Sequence, residues 1–166
     1  MPFDIGRRVL QAGTGKGRAG KGGVLAVSVT PVGNVGAGID DLISMTLPAN
    51  TLYKNGQGIR IRAWGTYAAN GASKQVILVF GGTNIVDMLA VVQNNTFWRL
   101  EATIHRVSAG NQDCSGHFNH STVSGTTFVA TTKNEATDLI IKVTGESVSN
   151  NDIVQRGMFI EVLAAP

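Results

Sequence analysis

The sequence predicts an all-β fold: a single antiparallel β-sandwich of about eight to ten strands, jelly-roll-like, with an extended N-terminal arm. Short apolar segments with alternating polarity recur about every 8–14 residues, and turns rich in glycine, asparagine, serine and threonine separate them. Charged residues make up only 15% of the 166-residue chain, and no segment has the periodicity of a long amphipathic helix. A chain of this length buries about 70% of its unfolded surface and needs no disulfide or metal to fold.

Residues 1–23 are predicted to form the arm, and residues 24–166 the sandwich domain. More than half of residues 13–23 are glycine, and such a segment cannot bury enough apolar surface to fold alone. The arm has five basic residues and one acid, giving +4, whereas the nine basic and ten acidic residues of the remaining chain give −1. The basic residues are Arg7, Arg8, Lys16, Arg18 and Lys21. We expect the arm to dock on an acidic partner surface and to become ordered there.

Two phosphate-binding patterns occur in the arm, but their surroundings do not fit. Residues 15–21 match most of a P-loop, and residues 15–20 match the Gly-x-Gly-x-x-Gly pattern of dinucleotide-binding proteins. In the P-loop pattern, Gly22 replaces the serine or threonine that holds magnesium. Both patterns also require a helix to follow, whereas residues 24–30 have the pattern of a strand. We therefore expect a tether and no cofactor. Nucleic acid binding is not expected either, because Phe3 is the only aromatic residue of the arm.

The predicted strands follow the arm in regular succession. Pro48 marks the end of the second strand or an edge of the sheet, because proline cannot donate a hydrogen bond to a sheet ladder. Residues 112–122 are polar and are predicted to be an exposed strand or a loop. The other predicted strands are residues 24–30, 39–47, 59–66, 76–80, 85–92, 96–107, 126–132, 136–144 and 153–163.

Residues 58–82 are predicted to form a central β-hairpin on which the sandwich is built. The first arm of the hairpin alternates strictly between apolar and polar residues, which places Arg60 and Arg62 on its wet face. The second arm, residues 76–80, is apolar on both faces. The Asn-Gly pair at residues 70–71 tolerates the backbone conformation of a tight turn.

Cys114, His117 and His120, with the adjacent Asp113, are residue types that bind zinc. In an extended segment, however, Cys114 and His120 lie roughly 20 Å apart and His117 points to the opposite face. Only a folded loop would gather them, so we expect a polar strand and no metal site. We expect no enzyme either, because the sequence has no Gly-x-Ser-x-Gly motif and its eleven acidic residues are scattered.

Four aromatic residues leave two interpretations open. Trp64, Tyr67, Phe97 and Trp98 have the residue types of an aromatic platform for a carbohydrate. Aromatic side chains at strand spacing belong more often to the core, however. We therefore expect core positions for these residues.

Four runs of residues carry a likeness to known proteins: Leu47-Pro48-Ala49-Asn50-Thr51-Leu52, Gly56-x-Gly58-Ile59-x-Ile61-x-Ala63-x-Gly65-Thr66, Val79-Phe80-Gly81-Gly82-Thr83 and Met158-x-Ile160-Glu161-Val162-Leu163. Together they resemble β-rich accessory virion proteins of tailed bacteriophages. The likeness covers roughly residues 40–107 and the last strand, and its motifs are structural, with no catalytic residue among them. It implies a virion structural protein, commonly trimeric, that serves as a capsid decoration protein, a head fibre or a tail-fibre tip.

A short arm followed by one compact domain favours a capsid decoration or cement protein. We expect the five basic arm residues to hold the assembled shell, with the major capsid protein or another virion protein as partner and a homotrimer as the assembly. The alternative is a receptor- or glycan-binding module associated with a tail or fibre. The sequence shows no signal peptide and no apolar run that spans a bilayer. We therefore expect synthesis in the host cytoplasm, location in the virion and no membrane partner.

Deletion of residues 1–23 is expected to abolish binding to phage particles, because it removes all five basic arm residues, and to leave a folded oligomer. Co-sedimentation with particles that lack the protein measures binding, and size-exclusion chromatography with circular dichroism checks the fold. A truncated protein that still binds the particles would rule out the arm's role.

Overall fold

The computed structural model describes residues 22–121 and 123–164, which form two antiparallel sheets arranged as a sandwich. None of these residues is helical, and so none belongs to a helix long and apolar enough to cross a membrane. The prediction of an all-β sandwich is confirmed. Residues 1–21, which include the five basic residues of the predicted arm, lie outside the described residues.

Twelve strands occur in the described part of the chain, of which two are only two residues long. In chain order they are β1 (Gly23–Ser28), β2 (Val32–Gly33), β3 (Gly38–Leu47), β4 (Gly58–Tyr67), β5 (Ser73–Phe80), β6 (Thr83–Asp87), β7 (Val91–Val92), β8 (Phe97–Ser108), β9 (Asn111–His120), β10 (Val123–Thr132), β11 (Leu139–Ser147) and β12 (Ile153–Leu163).

The strand order is that of a jelly roll with one added hairpin. The larger sheet has the order β1-β12-β4-β8-β9-β10, with β2 also beside β12. The smaller sheet has the order β3-β11-β5-β6, with β7 also beside β5. To compare the strand order with a jelly roll, we count β1 and β2 as one strand and leave out β7, β9 and β10. The eight remaining strands, renumbered 1 to 8 along the chain, then have the order 1-8-3-6 in the larger sheet and 2-7-4-5 in the smaller sheet. These are the two interlocked Greek keys of an eight-stranded jelly roll.

The predicted central hairpin is wrong. β4 pairs with β12 and β8, whereas β5 pairs with β11, β6 and β7, so residues 68–72 connect the two sheets instead of turning within one. A period of two gives each strand an apolar face, but it does not distinguish two strands paired side by side from two strands stacked face to face. Here the apolar faces of β4 and β5 stack across the core.

The polar segment 112–122 contains a regular strand, β9, and half of its side chains point inward. Gln112, Cys114, Phe118 and His120 are all buried. The prediction of an exposed strand is therefore wrong for one of its two faces. The sequence of β9 does not show an apolar alternation for this inner face, because two of its buried residues, Gln112 and His120, are polar.

Alternate side chains from both sheets fill the space between them. Burial of each large aliphatic side chain stabilises the fold by about 2 kcal/mol relative to exposure. The larger sheet contributes Ile59, Ile61, Trp98, Leu100, Ile104, Met158 and Ile160, and the smaller sheet contributes Val76, Leu78, Phe80, Ile141 and Val143. Trp98 has room because its neighbour on β4 is Gly65, where any Cβ atom would overlap the indole ring.

Polar side chains join the two sheets at their edges. The side-chain oxygen of Gln155 on β12 accepts a hydrogen bond of 2.8 Å from the backbone N–H of Ile43 on β3. The Thr127 hydroxyl on β10 donates one of 2.7 Å to the backbone carbonyl of Ile85 on β6. These bonds satisfy backbone groups of the smaller sheet that its own ladder leaves unpaired, so they hold the sandwich closed along both sides.

A buried lysine fixes the end of the sandwich near Tyr67. The Lys74 ammonium is fully buried and donates to the Asn70 side-chain oxygen at 2.7 Å and to the carbonyls of Asn70, Ala72 and Gln93. The Asn70 side-chain amide then donates to Asp152, which also accepts from the Ser147 hydroxyl at 2.8 Å. Burial lowers the pKa of Lys74, and the charge of Asp152 partly opposes this effect. The network ties together three connections between the sheets.

A second network closes the opposite end of β4. Gln112 is buried and donates to the Glu135 carboxylate at 2.6 Å, while its side-chain oxygen accepts from the Thr131 hydroxyl at 3.0 Å. Glu135 also accepts from the backbone N–H of Gly110 at 2.9 Å and pairs with Arg106 at 3.4 Å. The β8–β9 hairpin and the β10–β11 connection are thereby held together.

Asp152→Asn is expected to lower the free energy of unfolding by about 3 kcal/mol at pH 7, since it leaves the buried Lys74 ammonium without its nearby carboxylate. Burial alone would raise the pKa of Asp152, but hydrogen bonds from Asn70, Ser147 and Ser149 and the charge of Lys74 bring it below the ordinary value. The stabilisation is therefore present above about pH 4, the unfolded pKa, and is lost as the pH falls through the folded pKa.

Urea denaturation of the wild type and the variant between pH 7 and pH 3 measures this effect. The stability difference is expected to narrow below about pH 4. Asp113→Asn, which changes an outward-pointing carboxylate of β9 far from Lys74, is the matched control. A difference between wild type and Asp152→Asn that stays constant down to pH 3 would contradict the role given to Asp152.

Candidate functional site

The candidate site is the outer face of the larger sheet, the side that points away from the smaller sheet. Inward-facing residues alternate with outward-facing residues along β4, β8 and β12. The inward-facing residues form the core, whereas the outward-facing residues do not pack in the core and are accessible to a ligand. Charged and aromatic side chains occupy the outward positions.

The pairing register arranges these outward residues in three rows across five strands. The first row is Glu161, Arg60, Thr103, Ser115 and Phe128. The second row is Phe159, Arg62, Glu101, His117 and Thr126. The third row is Gly157, Trp64, Arg99, Asn119 and Ser124. We call these three rows the outer face.

Ion pairs organise the centre of the outer face. Arg62 Nε lies 2.7 Å from Glu101 Oε1, and Arg99 pairs with the same carboxylate oxygen. Arg60 Nη1 lies 3.4 Å from Glu161 Oε2, a longer contact. Three arginines and two glutamates therefore give the outer face a local charge of +1. Such exposed pairs add little to stability, so they fit positioning of a ligand better than they fit a structural role.

An aromatic pair borders these charges. The rings of Trp64 and Phe159 meet edge to face with their centroids 6.4 Å apart, and the Arg62 guanidinium carbon lies 5.8 Å from the Phe159 centroid. Trp64 lies over Gly157, where any Cβ atom would overlap the indole ring. The apolar border continues onto β1, where Val27 is exposed opposite Phe159. One side of the outer face is thus apolar and rigid.

A depression of about 180 Å³ lies on the same outer face, over β8 and β9, and Arg62 separates it from the aromatic border. It is lined by Arg60, Glu101, Thr103, Ser115 and His117, over the backbone of Ala102 and Gly116. The depression exists because Thr103 and Ser115 are short side chains placed between long ones. Its polar groups are open to solvent and its floor is a rigid sheet.

A second depression of similar volume lies at the end of the smaller sheet near Lys74. It is lined by Ser73, Gln75, Ala90, Glu146, Ser147 and Val148. It contains one carboxylate, no cation and no aromatic ring. The first depression therefore offers the richer set of contacts for a ligand.

The residues considered for a metal site are not brought together. β9 is extended, with Cys114 and His120 buried on the inner face and His117 exposed on the outer face, as the alternation predicts. Burial raises the pKa of the Cys114 thiol to about 11, and burial lowers the pKa of His120. Within residues 22–121 and 123–164, no group of three His, Cys, Asp or Glu residues is placed to hold a metal ion.

The four aromatic residues divide between the two faces. Tyr67 and Trp98 belong to the core, as predicted, whereas Trp64 and Phe97 lie on the outer side of the sheet, where the core prediction is wrong. Sequence reasoning missed Phe159 as a neighbour of Trp64. Met158 and Ile160 point inward, so the alternation places Phe159 outward. Only the register of β12 against β4 shows that the rings of Phe159 and Trp64 meet.

The predicted partner-binding residues of the arm, Arg7, Arg8, Lys16, Arg18 and Lys21, lie outside the described residues. Their docking on a shell therefore stays a prediction.

No family model matches the chain, and no curated protein matches it. Among solved structures, the chain is similar to the CBM2 module of the evolved Dit of Lactobacillus casei BL23 phage J-1. The identity is 7% and the TM-score 0.40, over 86% of this chain and 96% of that one. At this identity and TM-score, the similarity alone establishes neither a shared fold nor a shared function.

Proposed function

We propose that this protein is a non-enzymatic glycan-binding module of a bacteriophage virion, and that the outer face of the larger sheet is its binding face. The assignment to a virion is supported by the resemblance of its strand motifs to phage accessory proteins. The assignment to glycan binding is supported by the outer face itself.

The observation that carries the proposal is that one sheet face presents both the aromatic pair Trp64–Phe159 and an open depression lined with charged and hydroxyl groups. A sugar ring has apolar C–H faces and a rim of hydroxyl groups. Aromatic rings pack against the first, and arginine, carboxylate and hydroxyl side chains hydrogen-bond the second. A binding surface on a sheet is also preorganised, so that little conformational entropy is lost when the ligand binds.

The carboxylates of the outer face fit binding better than hydrolysis. A glycosidase needs one carboxyl group held protonated as a general acid and a second one opposite it. Glu101 and Glu161 each pair with arginines and lie in different rows of the outer face, so they are not placed opposite each other as such a pair. They are placed to accept hydrogen bonds from sugar hydroxyl groups.

Capsid decoration is the second candidate function. It is favoured by the concentration of five of the fourteen basic residues within residues 1–21. In this role a homotrimer would bind the major capsid protein, or another virion protein, through the arm. The copy number per virion distinguishes the candidates, because decoration covers the whole shell whereas a tail or fibre tip holds few copies.

Trp64→Ala and Phe159→Ala are each expected to weaken glycan binding about tenfold or more, since each removes a ring from the apolar border. A glycan array of bacterial envelope saccharides identifies the ligand, and isothermal titration calorimetry measures its affinity for each variant. Tyr53→Ala, which removes an exposed aromatic ring outside the outer face, is the matched control and is expected to bind as the wild type does.

Two results would contradict the proposal. One is a folded wild-type protein that binds no saccharide on the array. The other is a glycan whose affinity is unchanged by Trp64→Ala and Phe159→Ala, since its binding site must then lie elsewhere.

A further inference from the structure

We infer that the depression on the outer face is a subsite for an anionic group, a carboxylate or a phosphate, carried by the glycan. This inference rests on the proposed function in naming a glycan as the ligand. The anion subsite itself is argued from the side chains that line the depression.

The first argument is the number of unused hydrogen-bond donors. Within the described part of the chain, the side chains of Thr103, Ser115 and His117 make no hydrogen bond to another protein group, although all three line the depression. Arg60 makes a single contact of 3.4 Å, which leaves most of its guanidinium N–H groups available. Four donor groups therefore converge on one small volume.

The second argument is the placement of these donors. Arg60, Thr103 and Ser115 are direct cross-strand neighbours on β4, β8 and β9, so successive residues lie about 4.8 Å apart. His117 occupies the adjacent row on β9. The oxygens of a carboxylate or a phosphate accept several hydrogen bonds at once, and an arginine fork matches their geometry.

The third argument is charge. Glu101 is the one carboxylate in the lining, and it is already paired with Arg62 and Arg99. Among the lining residues, an anion that enters the depression therefore meets Arg60, which contacts Glu161 at 3.4 Å, and no unpaired carboxylate. The attraction is partly screened because the site is open to solvent, so it is expected to weaken with salt.

The fourth argument is size. A volume of about 180 Å³ leaves room for a carboxylate or a phosphate group. The rest of the ligand would extend across Arg62 toward Trp64 and Phe159. The depression thus selects the charge of the ligand, and the aromatic border provides apolar contact area.

Titration of the ¹⁵N-labelled full chain with three small probes at low salt tests the inference. The probes are sodium glucuronate, glycerol 1-phosphate and methyl glucoside. Glucuronate, glycerol phosphate or both are expected to shift the backbone amide signals of Thr103, Ser115, Gly116 and His117, whereas neutral methyl glucoside is not. The stronger anion identifies the source of the charge as an acidic sugar or a polyol phosphate.

Arg60→Gln is expected to weaken anion binding about tenfold, since it removes a charge-assisted hydrogen bond. Arg156→Gln removes the same charge from an exposed position on β12 outside the depression, and its effect is expected to stay below about twofold. Ser115→Ala removes one hydroxyl donor with little risk to the fold and is expected to weaken binding several-fold.

The inference would be overturned if Arg60→Gln and Arg156→Gln lowered the anion affinity equally, because binding would then depend only on the net charge of the protein. Amide shifts confined to residues outside the depression would overturn it as well. Neutral glycans that bind through Trp64 while neither anion binds would also overturn it and leave the proposed function intact. Anion binding in the depression by a protein that binds no glycan would support the subsite and contradict the proposed function.

Discussion

The packing of the apolar face of β4 against the smaller sheet is the constraint on which the rest of the structure depends. Ile59, Ile61 and Ala63 share one core with Val76, Leu78 and the other inward residues of β5. A one-residue slip of β4 would exchange its two faces and bring the arginines into the core. The register of β4 is therefore strongly specified by burial, and the positions of Arg60, Arg62 and Trp64 on the outer face follow from it.

The same constraint fixes the positions of the side chains on the outer face. Because β4 lies between β12 and β8, its outward side chains meet Phe159 and Glu161 on one side and Arg99, Glu101 and Thr103 on the other. The polar networks around Lys74 and Glu135 connect the loops at both ends of the sandwich. Side chains on such a scaffold present a ligand with a preformed surface.

Much of the fold could be predicted from the sequence, because apolar residues that recur at every second position indicate a strand with one buried face. Strict alternation along β4 and β8 is sufficient to predict both strands and the outward positions of Arg60 and Arg62. The core positions expected for Trp64 and Phe97 are wrong, because that expectation gives their aromatic character more weight than the alternation. The partners of each strand could not be predicted from the alternation. β4 and β5 are consecutive and both apolar, yet they lie in different sheets, and the pattern of residues 58–82 is the same for either arrangement.

The site was harder to predict than the fold. An outward position for Phe159 is implied by its apolar neighbours, but its contact with Trp64 depends on the bulge between Gln155 and Gly157 that sets the register of β12. The ion pair of Glu101 with Arg62 also joins residues far apart in sequence. Buried Lys74 has no signal in the sequence at all, because lysine is almost always exposed unless it is paired.

Acrylamide quenching of the intrinsic tryptophan fluorescence, with and without a purified glycan from the host envelope, tests most directly whether the outer face binds the ligand. The chain has two tryptophans, of which Trp98 is fully buried and Trp64 is partly exposed on the outer face, so quenching reports on Trp64. A bound glycan is expected to shield Trp64 and to reduce quenching in proportion to its occupancy. Saturating glycan binding with quenching unchanged would contradict the placement of the site on this face.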